Sequence, residues 1–243
     1  MVLALSALAC ASCADGSGAI ILGEVLGQAG AGVPGAGGSG PVTAFEVDQG
    51  LRAALTVGAD RVMGRLGVVD GFFGDPQVRI PLPGRLGELQ AQLARVGLSS
   101  PLDDLHMRLN RAAESAIPAA RDLVVEAVAS ITLEDAFALL RGGDTAATDF
   151  LRGKTEASIA AAFRPFLQSS LDQSGAFATL DRVSATYGLT GLGTQLRDSL
   201  IQHGVTYGLN GMYGYLAQEE RAIRQDPVKR TSEILRRVFG QAG

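Results

Sequence analysis

The chain has 243 residues, 47% hydrophobic but only 5% aromatic, with no tryptophan and a net charge of −4. That is apolar enough to bury a core, which excludes a disordered chain, and too poor in aromatic residues to favour a sheet-built one. The expected fold is all-α: a single multi-helix, bundle-like domain with one ordered loop containing glycine and proline.

Residues 1–14 form an apolar run, MVLALSALACASCA, that holds both cysteines, Cys10 and Cys13, and is too short to span a bilayer. No cysteine remains for a disulfide framework or a zinc site. The CxxC spacing is in the wrong setting for a redox motif, because no βαβ pattern follows it. Small residues around Cys10 and Cys13 fit a signal segment, although the usual basic n-region is missing. Lipid attachment at Cys10 or Cys13 is the second expectation for this segment. Residues 15–41 are rich in Gly and Ala and read as a linker, and the helical domain is expected over 42–243. Together these features predict export to the periplasm or cell envelope, with lipid anchoring as a variant.

The first helix is expected from Val42 to Leu66, with Leu51, Ala54, Leu55, Gly58, Val62 and Leu66 on one face. Gly67 to Pro83, GVVDGFFGDPQVRIPLP, then breaks the helical pattern with turn residues and reads as an ordered loop. Gly84 to Val96 is a short helix stopped by Gly97. Ser100-Pro101-Leu102-Asp103 predicts a restart with Ser100 as N-cap and Pro101 at the first helical position. Leu102, Leu105, Leu109, Ala112 and Ala116 form its buried stripe, and Pro118 is expected to kink or restart it. Thr132 and Asp135 cap the next helix, which Gly142-Gly143 ends. Another runs from Asp144 or Thr145 to Phe163 and closes at Pro165, followed by a helix over Phe166 to Tyr187 and a GLTGLG loop.

From Thr194 to Arg224 the chain reads as helix, with Gly204, Gly208, Gly211 and Gly214 within about a third of its circumference. Each interior glycine costs about 1 kcal/mol against alanine, so several together predict close approach of another element. Tyr207, Tyr213 and Tyr215 lie beside this seam. After Asp226-Pro227 a last helix presents Ile234, Leu235, Val238 and Phe239. From Arg221 onward six basic residues face only Asp226 and Glu233, so the net charge of −4 divides into +4 there and −8 elsewhere. Such a tail could meet anionic lipid. Nucleic acid is disfavoured as a partner, and the simplest reading is a set of solvated helix ends.

His106 and His203 are the only histidines, and no HExxH, GxSxG, P-loop or strand-preceded GxGxxG occurs. This argues against a metalloprotease, an α/β hydrolase and a dinucleotide enzyme. His106 reads as a helix-surface or cap residue. The polar cluster on one helix is Asn110, Arg111 and Glu114. It is expected to hydrogen-bond the loop's Asp70, Asp75 or Arg79, or to line a small polar pocket beneath the loop. Those six residues are the candidate binding site. Asp70 and Asp75 lack the ligand spacing of an EF-hand, and no metal or cofactor is expected.

Several segments occur together in one order: GLRAALTVGADR, DGFFGDPQVRIPLP, MRLNRAAESAIP, TLEDAFALLRGGDTAATDFLR and EERAIRQDPVKRTSEILRRVFG. In these the chain resembles a bacterial family known as domain of unknown function 4197. The resemblance implies a helical protein that often carries an export signal, and it implies no activity. The chain departs from the family's pattern where Gly-Met-Tyr-Gly replaces an aliphatic Leu-Phe stretch. The functional expectation is a non-enzymatic, exported envelope module that binds a small apolar ligand or a protein partner. One alternative is a hydrolase-like enzyme with Glu114, Asp70 or Asp75 as acid or base and Arg79 or Arg111 holding an anion. The other is a peripheral membrane binder using the basic tail.

Overall fold

The computed structural model describes residues 43–188 and 193–225, which form seven helices with no strand among them. The N-terminal run with Cys10 and Cys13, the linker, residues 189–192 of the GLTGLG stretch and residues 226–243 lie outside the described residues.

Thr43 starts α1 (Ala44–Leu66) with a closed capping box: its hydroxyl accepts the Glu46 N–H and the Glu46 carboxylate accepts the Thr43 N–H. A loop over residues 67–83 leads to α2 (Gly84–Ala94), which follows Pro83, and then to α3 (Ser100–Ala129). The cap of α3 falls one residue earlier than the sequence pattern suggests. Ser99 holds that position with helical φ and ψ, makes no cap bond, and instead donates its hydroxyl to Asp103 at 2.6 Å. Thr132 and Asp135 form the expected box at the start of α4 (Leu133–Arg141).

The break expected at Pro165 is absent. A single helix, α5 (Ala146–Gln173), runs through it, as α3 runs through Pro118. An interior proline costs about 3 kcal/mol. In α5 the stripe of Ile159, Phe163, Leu167 and Leu171 is fully buried on both sides of the proline, and that burial offsets the cost. The chain turns instead at Ser174-Gly175, where Gly175 takes a left-handed φ of 75° before α6 (Ala176–Thr186). The last described helix is α7 (Gly193–Gln225).

α3 lies centrally, packed on α1, α2, α5, α6 and α7. The core is mostly aliphatic, with Phe72 and Phe163 as its largest fully buried side chains. Helix ends are tied by side chains from other helices, because terminal N–H and C=O groups have no partner within their own helix. Arg52 of α1 donates to the carbonyls of Val128 and Ala129, at 3.0 and 2.7 Å, and to that of Ile131, closing the end of α3. Arg224 of α7 donates to Leu139 and Leu140 at the end of α4, and Arg108 of α3 to Ser174 at the end of α5. At the start of α5, buried Glu220 accepts the N–H groups of Ala147 and Thr148 at 3.0 and 2.8 Å, a cap supplied from α7.

The glycine seam of α7 divides by function. A Cβ on Gly204 would sit 2.4 Å from Leu167 Cδ2 and 3.0 Å from Leu109 Cδ1, both fully buried side chains. One on Gly208 would meet Phe163, and one on Gly211 would meet Phe72 and Val78 of the loop, each at 3.2 Å. A Cβ on Gly214 would meet nothing within 4 Å among the described residues. Gly204→Ala is therefore expected to lower the unfolding free energy by about 1 kcal/mol, overpacking outweighing the gain in helix propensity. Gly214→Ala should raise it by up to about 1 kcal/mol; urea denaturation of the two variants gives the contrast.

Candidate functional site

The loop over residues 67–83 is shaped by two backbone constraints near its start. Asp70 adopts a left-handed φ of 69°, which aspartate tolerates better than most residues, and a Cβ on Gly71 would lie 2.4 Å from the Leu66 carbonyl oxygen. This turn aims two consecutive amides inward. The N–H groups of Phe72 and Phe73 both donate to Glu114 Oε1, at 3.0 and 3.1 Å. Glu114 is only 4% exposed; its other oxygen accepts Arg111 Nη1 at 2.8 Å, and Arg111 Nη2 reaches Asp70 Oδ1 at 2.8 Å. The Glu114 bond, followed by that to Asp70, holds the Arg111 pKa above its ordinary value.

A second clamp sits one helical turn earlier on α3. Asn110 is fully buried, accepts the Ile80 N–H at 2.8 Å and returns a hydrogen bond to the Ile80 carbonyl at 2.9 Å. Its amide thus pairs with the loop backbone as a neighbouring strand would, and its amino group also reaches the His106 carbonyl. Asp75 is the third anchor. It accepts the Gln77 N–H at 3.1 Å, Arg65 Nη2 at 2.7 Å and the Tyr215 hydroxyl. The Tyr215 bond is the main cause holding the Asp75 carboxyl below its usual range, whereas burial, then the Asp75 bond, pushes Tyr215 up to about 12.

Arg79 closes the loop on itself by donating Nε to the Phe73 carbonyl at 2.5 Å. Half-buried Phe73 lies beneath the guanidinium groups of Arg79 and Arg111, at 5.3 and 5.8 Å from its centroid, with His106 edge-on at 5.6 Å. His106 of α3 and His203 of α7 both lie against the loop's last arm, near Ile80 and Pro81, and burial holds both imidazoles below their ordinary pKa. His203 stacks on Tyr207 with centroids 4.1 Å apart.

The structure therefore brings Asn110, Arg111 and Glu114 against the loop. Asp70 meets Arg111, while Arg79 turns to Phe73 and Asp75 to Arg65 and Tyr215 on the loop's other side. The helix cluster was expected to grip loop side chains; Asn110 and Glu114 instead hold backbone groups of Phe72, Phe73 and Ile80. Sequence reasoning missed Tyr215 as an anchor, although its place beside the glycine seam was the available signal. It also missed Glu220, whose equivalent role at α5 leaves no local motif. Chemically, Glu114 and Asp75 accept three donors each, and apart from the Arg111 bond within α3 those bonds tie the loop to α1, α3 or α7 or close it on itself. No group of three or more potential metal ligands occurs among the described residues, and no described helix is long and apolar enough to cross a membrane.

Two cavities bear on binding. An apolar one between α1, α5 and α7, lined by Leu51, Leu55, Leu151 and Leu216 among others, has about 20 Å³, room for little more than one water. An open groove of about 410 Å³ runs between the loop and α7, bounded by Gln77, Arg79, Tyr207, Asn210, Gly214 and Gln218.

A family model described as "Protein of unknown function (DUF4197)" matches residues 41–240. The chain belongs to this family. The stretch matched includes the loop, both clamps on α3 and the groove face of α7, so the whole site lies within the DUF4197 region. No curated protein and no solved structure matches the chain.

Glu114→Ala would leave two buried amides without an acceptor and Arg111 without its main partner. It is expected to cost roughly 3 kcal/mol in denaturant unfolding, with hydrogen exchange accelerated first at Phe72 and Phe73. The histidines set a pH dependence. Their folded pKa values lie below the ordinary 6.5, so the unfolded chain takes up protons first. Stability is then full above about pH 6.5 and falls as the pH drops through that value, well above the range where Asp75 titrates. The melting temperature should fall between about pH 7 and about pH 5, and the double variant His106→Gln, His203→Gln should flatten that fall.

Proposed function

We propose that this protein is a non-enzymatic helical binding module whose binding face is the loop over residues 67–83 together with the groove beside α7. The observation that carries this reading is the direction of the loop's hydrogen bonds. Its amides at Phe72, Phe73 and Ile80 are consumed inward by buried Glu114 and Asn110. Asp70, Gln77 and Arg79 are thereby held outward in fixed positions with no ligand required to order them, and such preorganisation lowers the entropic cost of binding. The apolar-ligand version of the reading has little support, since the apolar cavity admits about one water. The acid/base alternative is weakened because Glu114 and Asp75 are occupied and Asp70 is in an exposed ion pair with Arg111.

The same proposal places the module in the cell envelope, supported by the apolar N-terminal run, Cys10 and Cys13 and the Gly/Ala-rich linker. The membrane reading rests mainly on basic residues from 229 onward, which are outside the described ones.

Both halves are tested on protein isolated from its own host. Its denatured mass should show loss of the N-terminal run or an added lipid, and a full-length cytoplasmic chain would overturn the location. Its native mass should exceed the denatured mass by a bound species, and Gly214→Leu, which fills the groove, should lose that species. Retention of the species by Gly214→Leu would overturn the groove as the binding face.

A further inference from the structure

We infer that the groove beside α7 takes a small, oxygen-rich ligand carrying one carboxylate, of the acidic-sugar type; this rests on the reading of loop and groove as the binding face. Several polar groups around the groove are already used, and the others are free to meet a ligand. Arg152 donates to Asn210 Oδ1 at 2.9 Å, so the Asn210 carbonyl is occupied and its amino group is left for the groove. Arg79 spends Nε on the Phe73 carbonyl and makes no ion pair among the described residues, which leaves the two-nitrogen edge of its guanidinium unused there. The Gln218 side chain and the Tyr207 hydroxyl form no hydrogen bond among the described residues. Among the described lining residues free donors thus outnumber free acceptors, and the one charged side chain is Arg79.

A planar carboxylate matches one guanidinium edge in two parallel hydrogen bonds, whereas a phosphate dianion would leave uncompensated charge beside a lone arginine. Sugar hydroxyls can accept from the amide donors at whatever angle they present. An extended peptide brings as many N–H donors as carbonyl acceptors, and with the Asn210 carbonyl engaged by Arg152 the groove offers those N–H groups fewer acceptors, chiefly Gln218 Oε1 and the Tyr207 hydroxyl, than it offers donors. Tyr207 supplies a surface suited to a sugar ring: one face stacks on His203, and the residue remains 43% exposed.

Gly214 adds an independent observation. Mid-helix glycines are unfavourable, and at Gly64, Gly153 and Gly214 a Cβ would meet nothing within 4 Å among the described residues, so packing there does not require them. Of the three, Gly214 lines the groove, and the side chain it lacks would project into it. A ligand lying against the helix backbone accounts for its absence.

The test is amide NMR of the folded protein titrated in turn with galacturonate, galactose, inorganic phosphate and glycylglycine. Galacturonate is expected to shift the Gly211 and Gly214 amides and the side-chain amides of Asn210 and Gln218, with galactose at least tenfold weaker. Arg79→Gln should weaken galacturonate at least tenfold. Arg79 is exposed but also donates to the Phe73 carbonyl, so this variant should lower the melting temperature slightly and leave amide shifts away from the loop and groove unchanged, which separates loss of binding from loss of fold. Arg79→Lys, which keeps the charge but not the fork, should fall between. Galactose binding as tightly as galacturonate, or phosphate or glycylglycine shifting the same resonances more strongly, would overturn the ligand class while leaving the binding face intact. So would silence from all four probes if the host-isolated species is still lost in Gly214→Leu. Retention of that species in Gly214→Leu would overturn the underlying reading instead.

Discussion

A buried carboxylate is expensive to leave unpaired in a protein interior, and Glu114 is held there by three donors converging on it. Two of them are consecutive backbone amides, so the residue does more than satisfy itself. It converts a Gly-rich turn into a fixed object, because the amides of Phe72 and Phe73 would otherwise face an apolar helix without acceptors. Arg111 then carries the constraint outward to Asp70, the residue that bears the loop's left-handed strain. Without the Glu114 clamp, Phe72 would lose its reason to enter the core, and the arm leading to Asn110 would be held at one end only.

The same device recurs through the molecule. Glu220 caps α5 from α7, and Arg52, Arg108 and Arg224 close the ends of α3, α5 and α4 from neighbouring helices. Charged side chains along helix shafts thus serve the backbone ends of other helices. Such bonds have little length dependence in sequence: Arg52 reaches residues more than seventy positions away. They give an aliphatic bundle, whose helices could slide on one another, a set of fixed axial positions.

The loop's position also depends on side chains that are missing. Gly211 lets Phe72 and Val78 lie directly on the α7 backbone, while Gly208 and Gly204 do the same for Phe163 and for Leu167 with Leu109. The glycine seam and the Glu114 clamp are two halves of one arrangement. One removes volume on α7 so that the loop can approach, and the other fixes it from α3. The groove is the gap left beside Gln77 and Arg79, where nothing among the described residues packs against Gly214.

Local chemistry was legible in the sequence wherever a short pattern carries it. The box of Thr132 and Asp135, the stripe from Leu51 to Leu66, the turn character of the loop and the grouping of Asn110, Arg111 and Glu114 on one helix all follow from spacings of three and four residues. Proline misled at Pro165, because its helix-breaking cost is local while the burial of Phe163 and Leu167 that offsets it is tertiary. Tyr215 and Asp75, 140 positions apart, meet only because α7 packs behind the loop, and no spacing rule connects them. The sequence alone thus determined the all-α class, the presence of an ordered loop and the side chains available to hold it. Which backbone groups those side chains hold, and which donors are left facing the groove, only the tertiary structure decided, because a hydrogen bond is allotted by position in space and each donor is spent once.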